Sequence, residues 1–244
     1  SSLGEWPLTG KIEFENYSMR YREETEVVLR NLKAVVKGGE KVGIVGRTGS
    51  GKSSLCLSLF RIVEAYSGTI KIDDVDIAKV GLDTLRKRLC VIPQDPVLFE
   101  GTLKENLDPF EEWSLEELKD CLKLTQLTDE SPEQLLNREV KENGSNFSLG
   151  QRQLICIARA ILKKAKIVVL DEATASIGYK TDQLIQSIIR DKFQNSTVLT
   201  IAHRMNTILD YDKVIVMEKG TIVEFDSPQN LIAQKGLFYA MTNN

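Results

Sequence analysis

A chain of 244 residues with 42% hydrophobic content can bury roughly 70–75% of its unfolded surface, enough for one large domain or two small lobes around a real core. The formal net charge is -3, and basic residues gather only in short pieces such as Arg86-Lys87-Arg88 and Lys163-Lys164, which excludes nucleic-acid binding through a broad positive face. No apolar run approaches the ~20 residues that span a bilayer, so direct membrane insertion is not expected, and four widely spaced cysteines with a single histidine argue against a zinc site.

The chain begins Ser1-Ser2-Leu3-Gly4-Glu5-Trp6-Pro7, without the basic region and apolar stretch of a secretory signal. Residues 1–9 read as a linker, and 10–244 as a domain cut from something larger. From Lys11 to Tyr21 apolar residues alternate (Ile12, Phe14, Tyr17, Met19, Tyr21), the period of a half-buried strand, and Val27 to Val36 continues in that style. Thr69 to Ile77 adds a short strand pair, so a small antiparallel sheet is expected beside the main fold. Val42 to Val45, Ile167 to Leu170 and Val198 to Ile201 are continuous apolar runs, as in strands buried on both faces of a parallel sheet. From about Asp95 to Leu149 the chain turns richer in Glu, Lys and Leu, and Ser114 followed by Glu117 has the spacing of a capping box. An inserted helical subdomain is expected over about 95–155. Cys56 and Cys156 sit among aliphatic residues and read as small core hydrophobes; with no paired spacing, a reduced compartment is the default.

Gly46-Arg47-Thr48-Gly49-Ser50-Gly51-Lys52-Ser53 fits GxxxxGK[ST] between a predicted strand and an apolar helix carrying Leu55, Leu57, Leu59 and Phe60. Glycines let the backbone wrap so that N–H groups face phosphate oxygens, and the helix N-terminus adds a favourable field. Lys52 would bridge the β- and γ-phosphates and Ser53 would hold magnesium. Asp171 and Glu172 close an apolar strand, where a pair of charges is costly without a cation nearby. Asp171 suits a magnesium role through water, and Glu172 suits a base for an attacking water. The pair alone fits a solvated loop with helix-capping acids equally well. His203 follows the run ending at Ala202, so it emerges at the sheet edge of the phosphate loop, where ligands of open α/β sheets gather. A lone histidine is more often structural, but the shared edge favours a contact between His203 and the γ-phosphate.

With Val91-Ile92-Pro93-Gln94 and Phe147-Ser148-Leu149-Gly150-Gln151-Arg152-Gln153 in the same order and spacing, the chain resembles the nucleotide-binding domain of ABC transporters over nearly its whole length. The resemblance implies an α/β fold with a P-loop NTPase (RecA-like) core, a flanking antiparallel β subdomain and an inserted α-helical subdomain. It implies ATP and magnesium as cofactors, and hydrolysis of ATP to ADP and phosphate. Gln94 would be the Q-loop residue that senses magnesium and the transmembrane domains. Ser148, Gly150 and Gln151 would form the signature segment, presented to an ATP held by a second, opposed nucleotide-binding domain of the same full-length chain. Ser54 would join the phosphate site and Tyr21 would stack on adenine. The domain would sit on the cytoplasmic face of a membrane and power export.

Glu5-Trp6-Pro7, the Asn16-to-Tyr21 strand, Gly101 to Phe110 and Gly150 to Gln153 resemble most the second such domain of the C subfamily, the multidrug-resistance-associated proteins. Glu172 favours the second domain too, because first domains of this subfamily commonly carry Asp there. Two positions depart from the family pattern. Leu149 stands where the signature has its first glycine, and Gly178, after Ala175-Ser176-Ile177, stands where the D-loop usually has Asp, which puts communication between sites in doubt. Two other readings exist: a regulatory nucleotide sensor in a non-transporting ABC protein, and a soluble ABC ATPase of translation or DNA repair. The second is disfavoured by the lack of coiled-coil insertions and of a basic surface.

Overall fold

The computed structural model of the chain describes residues 3–172 and 177–243. In chain order the strands and α-helices are β1 (Ile12–Met19), β2 (Leu29–Val36), β3 (Lys41–Gly46), α1 (Lys52–Leu59), β4 (Ala65–Ile72), β5 (Val75–Asp76), α2 (Leu82–Arg88), β6 (Leu89–Ile92), β7 (Gly101–Thr102), α3 (Leu103–Leu107), α4 (Leu115–Thr125), α5 (Pro132–Leu136), β8 (Glu139–Val140), α6 (Leu149–Lys163), β9 (Ile167–Asp171), α7 (Tyr179–Lys192), β10 (Thr197–Ile201), β11 (Lys213–Glu218), β12 (Thr221–Asp226), α8 (Pro228–Gln234) and α9 (Leu237–Thr242). They form two compact units. The first is Ser1–Val91 with Lys166–Leu170 and Asn195–Asn244; the second is Ile92–Ala165 with Asp171–Gln194.

The first unit holds the expected antiparallel sheet, ordered β2-β1-β4-β5. Asn16 takes a left-handed conformation and shifts the β1 register between Phe14 and Tyr17. That bulge breaks the period of two, so Tyr17, Ser18 and Met19 are all buried. The larger sheet is ordered β12-β11-β3-β10-β9-β6. Both β10 and β11 run parallel to β3, and the edge strand β12 returns antiparallel. Thr197 N donates to Lys166 O, which aligns the start of β10 with the start of β9.

The continuous apolar runs are explained by burial on both faces. Ile44, Val169, Leu199 and Ile215 pack into one core with Phe14, Met19, Leu29 and Ile72 of the antiparallel sheet and with Leu55 and Leu59 of α1. Val45, Val214 and Val216 face the other way, against Ile208, Tyr211, Leu231 and Phe238. Each such side chain contributes about 1.5–3 kcal/mol by leaving water. At the amino end, Trp6 is buried and its Nε1 donates to Ile72 O at 2.9 Å. Asp73 gathers the next residues by accepting from Leu8 N, Thr9 N, Thr9 Oγ1, Gly10 N and Lys11 N. Burial would raise the Asp73 pKa, but these donors together hold its carboxyl below the usual range.

The second unit is built around α6, against which α3, α4 and α7 pack. Its helices start on side-chain caps. Ser114 accepts from Glu117 N as the spacing predicts, but Glu117 Oε1 takes the Ser114 hydroxyl instead of the backbone N–H that would complete a capping box. Complete boxes open α3 (Thr102, Glu105), α5 (Ser131, Gln134) and α6 (Ser148, Gln151). All four cysteines are buried, Cys56 and Cys156 in the cores as expected, and burial pushes the Cys121 thiol up to about 12. Among the described residues no helix is long and apolar enough to cross a membrane.

Candidate nucleotide site

Within the first unit, β3 delivers the chain at Gly46 into a turn closed by Ser50 N donating to Arg47 O. Thr48 and Gly49 form its tip; Gly49 and Gly51 take φ of 80° and 109°. Helix α1 then starts at Lys52 with no side-chain cap and no acid in its first turn. The leading N–H groups of a helix lack intrahelical acceptors, and here no side chain of α1's cap supplies one. Such an end carries roughly half a positive charge and is suited to an anion. Lys52 Nζ reaches back to Gly46 O at 2.6 Å, across the mouth of the same loop. Ser53 is exposed on the first turn, and Ser54 beneath it is 7% exposed. The donor set therefore fits phosphate.

Tyr21 lies in the same unit. Its hydroxyl meets Ser54 Oγ at 2.7 Å while 45% of the residue stays exposed. The aromatic face is thus tethered to the helix that opens the phosphate loop, as a stacking platform requires. Beyond the end of β10, Ala202 N donates to Ile44 O, so the exposed His203 leaves the sheet beside β3, beyond the level of Ile44.

One further residue holds this group and was not anticipated from sequence. In the turn between β11 and β12, Gly220 N donates to Ser50 O at 2.8 Å and Gly220 O accepts from Arg30 N at 2.9 Å. Its φ is 80°, and a Cβ there would lie 1.9 Å from Val28 O, so only glycine fits. Gly51 sits against the same junction, its would-be Cβ 3.4 Å from Gly220 Cα. The Lys219-Gly220 pair between two apolar runs was the legible signal.

In the second unit, Asp171 and Glu172 follow directly on Leu170 of β9; Asp171 is half-buried and Glu172 only 2% exposed. Gln153 of α6, 1% exposed, gathers this corner: its Nε2 donates to Pro93 O at 3.0 Å and to Asp171 O at 3.1 Å, with Gln94 O at 3.5 Å. The backbone at Pro93-Gln94 and at Asp171 is therefore held by one side chain, that of a residue given no role from sequence. Next to it, Arg152 binds Asp95 Oδ1 at 2.7 Å and Pro96 O at 3.0 Å. Among the described residues no three His, Cys, Asp or Glu side chains gather into a cation cage. Asp171 carries a carboxylate of the kind magnesium takes one or two of, its shell being completed by phosphate and water.

Ser148 and Gln151 form the capping box that starts α6: Ser148 Oγ accepts from Gln151 N, Gln151 Oε1 accepts from Ser148 N, and Gln151 Nε2 donates to Leu127 O. Gly150 permits close packing, since a Cβ would meet Thr181 Cγ2 at 2.7 Å. Leu149 is half-buried on this first turn. Gly178 is the N-cap of α7, in extended backbone that any residue adopts, and among the described residues nothing lies within 4 Å of a Cβ there. Ala175 and Ser176, which precede it in the D-loop pattern, lie outside the described residues.

A protein-family model of ABC transporters matches residues 29–175. The chain is similar to "ATP-binding cassette sub-family C member 3" of Rattus norvegicus, 55% identical over 241 residues, which are 98% of this chain and 16% of that protein. It is also similar to "ABC transporter C family member 12" of Dictyostelium discoideum, 55% identical over 98% of this chain and 18% of that protein. The chain thus spans less than a fifth of the length of these relatives. Among solved structures, a bacterial Atm1-family ABC exporter with ATP bound superposes with a TM-score of 0.88 at 34% identity, over 96% of this chain and 41% of that one.

Proposed function

This chain belongs to the ABC transporter family, and from that premise we propose that it binds ATP with magnesium, hydrolyses it, and so powers an exporter. The observation that carries the reading is the start of α1: an uncapped, acid-free helix end behind the loop at 46–53, with Lys52 across it. We read residues 10–244 as the ABC ATPase domain after a linker at 1–9, with a helical subdomain over about 95–155. Adenine would stack on Tyr21, and the phosphates would lie on the backbone of residues 46–54 with Lys52 between the β- and γ-phosphates. Ser53, Asp171 and Gln94 would hold magnesium, which supplies charge neutralisation at the phosphates when bound. Glu172 would orient and deprotonate the attacking water, and His203 would contact the γ-phosphate.

The finer assignment is the second nucleotide-binding domain of a C-subfamily, multidrug-resistance-associated type of protein. The relatives support the subfamily, and Glu172 supports the second domain. Its partners would be a first nucleotide-binding domain in the same full-length chain and the transmembrane domains, with this part on the cytoplasmic face. Ser148, Gly150 and Gln151 would then be presented, at the amino end of α6, to the nucleotide of the opposed domain. Because the Ser148 hydroxyl already caps α6, it would serve that nucleotide only while keeping Gln151 N as a donor partner.

The test is equilibrium titration with magnesium-ATP. The expected result is saturable binding of one nucleotide per chain, lost in Lys52→Ala with folding unchanged. A chain that binds no ATP, or a Lys52→Ala variant that binds as well as the wild type, would contradict the proposal.

A further inference from the structure

The buried amide of Gln153 is not a group that the proposed chemistry uses, yet it bridges two segments that the chemistry needs. It stands on α6, one turn beyond the Ser148–Gln151 cap, and its one nitrogen spans Pro93 O at 3.0 Å and Asp171 O at 3.1 Å. An amide NH₂ has two protons, so both carbonyls can be satisfied at once. At 1% exposure no water replaces it, and its removal takes one donor from each of the two carbonyls. Arg152 reinforces the same hold through Asp95 Oδ1 and Pro96 O.

We infer that Gln153 is a positioning residue: it fixes the Gln94 segment and Asp171, the two proposed magnesium-holding groups of this unit, to the helix whose first turn is the signature segment. Groups that orient metal ligands without touching the ion act on metal affinity through the placement of those ligands. Here the placing group rides on α6, so a displacement of the Ser148–Gln151 turn is passed to the magnesium residues. The inference rests on the ATP and magnesium reading above.

The test compares ATP affinity with and without magnesium, in the wild type and in Gln153→Met, which keeps the length of the side chain and removes its donor. In the wild type, magnesium tightens ATP binding. In Gln153→Met, affinity in excess chelator is expected to be unchanged, because the phosphate loop is untouched, while the magnesium concentration for half-maximal tightening rises about tenfold or more. Asn106→Leu is the matched control. Asn106 is also 1% exposed and its Nδ2 serves two carbonyls, Phe99 O and Thr102 O, so its loss destabilises the unit without touching Pro93 or Asp171. Its magnesium response is expected to stay at the wild-type value.

A Gln153→Met variant with the wild-type magnesium response overturns the inference, and so does an equal shift in Asn106→Leu. A wild type that binds no ATP overturns the ATP reading itself, whereas one that binds ATP while only the Gln153 result fails leaves that reading standing. Should Gln153→Met not fold, hydrogen exchange on the wild type decides. Addition of magnesium to the ATP complex is expected to slow exchange in residues 92–96 and 149–155 together; slowing in 92–96 alone contradicts the bridge.

Discussion

Replacing Glu172 with Gln is expected to slow hydrolysis of magnesium-ATP by about 10²–10⁴-fold while ATP binding is retained. Glu172 is 2% exposed and follows the last residue of β9, so its carboxylate is held in place and largely shielded from water. Glutamine matches glutamate in volume and can still hydrogen-bond, but it cannot accept a proton from an attacking water at neutral pH. The groups proposed to bind phosphate stand on the loop at 46–53 and on α1, and Glu172 is not among them. Single-turnover hydrolysis, read beside equilibrium binding and thermal unfolding, separates these terms. Hydrolysis at the wild-type rate would place the base elsewhere.

The second large effect is expected at Gly220. Alanine there would carry its Cβ 1.9 Å from Val28 O with φ at 80°, and the neighbour is backbone, which cannot step aside as a side-chain tip can. The turn must move, and with it the bonds from Gly220 N to Ser50 O and from Arg30 N to Gly220 O. Displacing a phosphate loop by a fraction of an ångström to an ångström costs on the order of 10–100-fold in the interactions it positions. Gly220→Ala is therefore expected to weaken ATP binding by about that factor. Gly68→Ala separates this from plain loss of stability. Gly68 has φ of 74° and its Cβ would lie 2.1 Å from Asn16 O, a comparable clash, but in the antiparallel sheet. Strain at such a position costs about 1–3 kcal/mol in either variant. Thermal unfolding should fall in both, and ATP affinity only in Gly220→Ala. Equal affinity losses in the two would show that Gly220 acts through stability alone.

Much of this architecture was legible because two physical signals are strong. Strands covered on both faces lose the period of two, and Val42 to Val45, Ile167 to Leu170 and Val198 to Ile201 showed it. A glycine-rich loop between such a strand and an apolar helix has few other uses. Val214 to Met217 has the same composition as those runs and forms β11, but nothing chemical follows it in sequence to draw notice. What it positions is a glycine that acts through its backbone, so neither the bond from Gly220 to Ser50 nor the crowding at Val28 has a side-chain signature. Gln153 was hidden for a different reason. It lies in the motif that resembles the family's signature region, but its partners, Pro93 and Asp171, are 60 and 18 residues away and are joined to it only by the packing of α6. The reciprocal half of the Ser114 cap does not form: the Glu117 carboxylate accepts from the Ser114 hydroxyl, whereas Glu105 accepts from both the hydroxyl and the backbone N–H of Thr102. The same spacing closes completely at Ser148 and Gln151, where the amide oxygen accepts from Ser148 N and the NH₂ donates to Leu127 O.

In the proposed reading the Ser148–Gln151 segment caps its own helix α6 and would also serve an opposed nucleotide, which would make each ATP site a property of two domains. The most direct measurement is the rate of magnesium-ATP hydrolysis as a function of the concentration of this chain, alone and with a first nucleotide-binding domain added. The account requires slow turnover in dilute solution, a rate that rises faster than linearly with concentration, and a further rise on adding the partner domain. Fast turnover strictly proportional to concentration, and indifferent to the partner, would show a site complete within one chain and would contradict it.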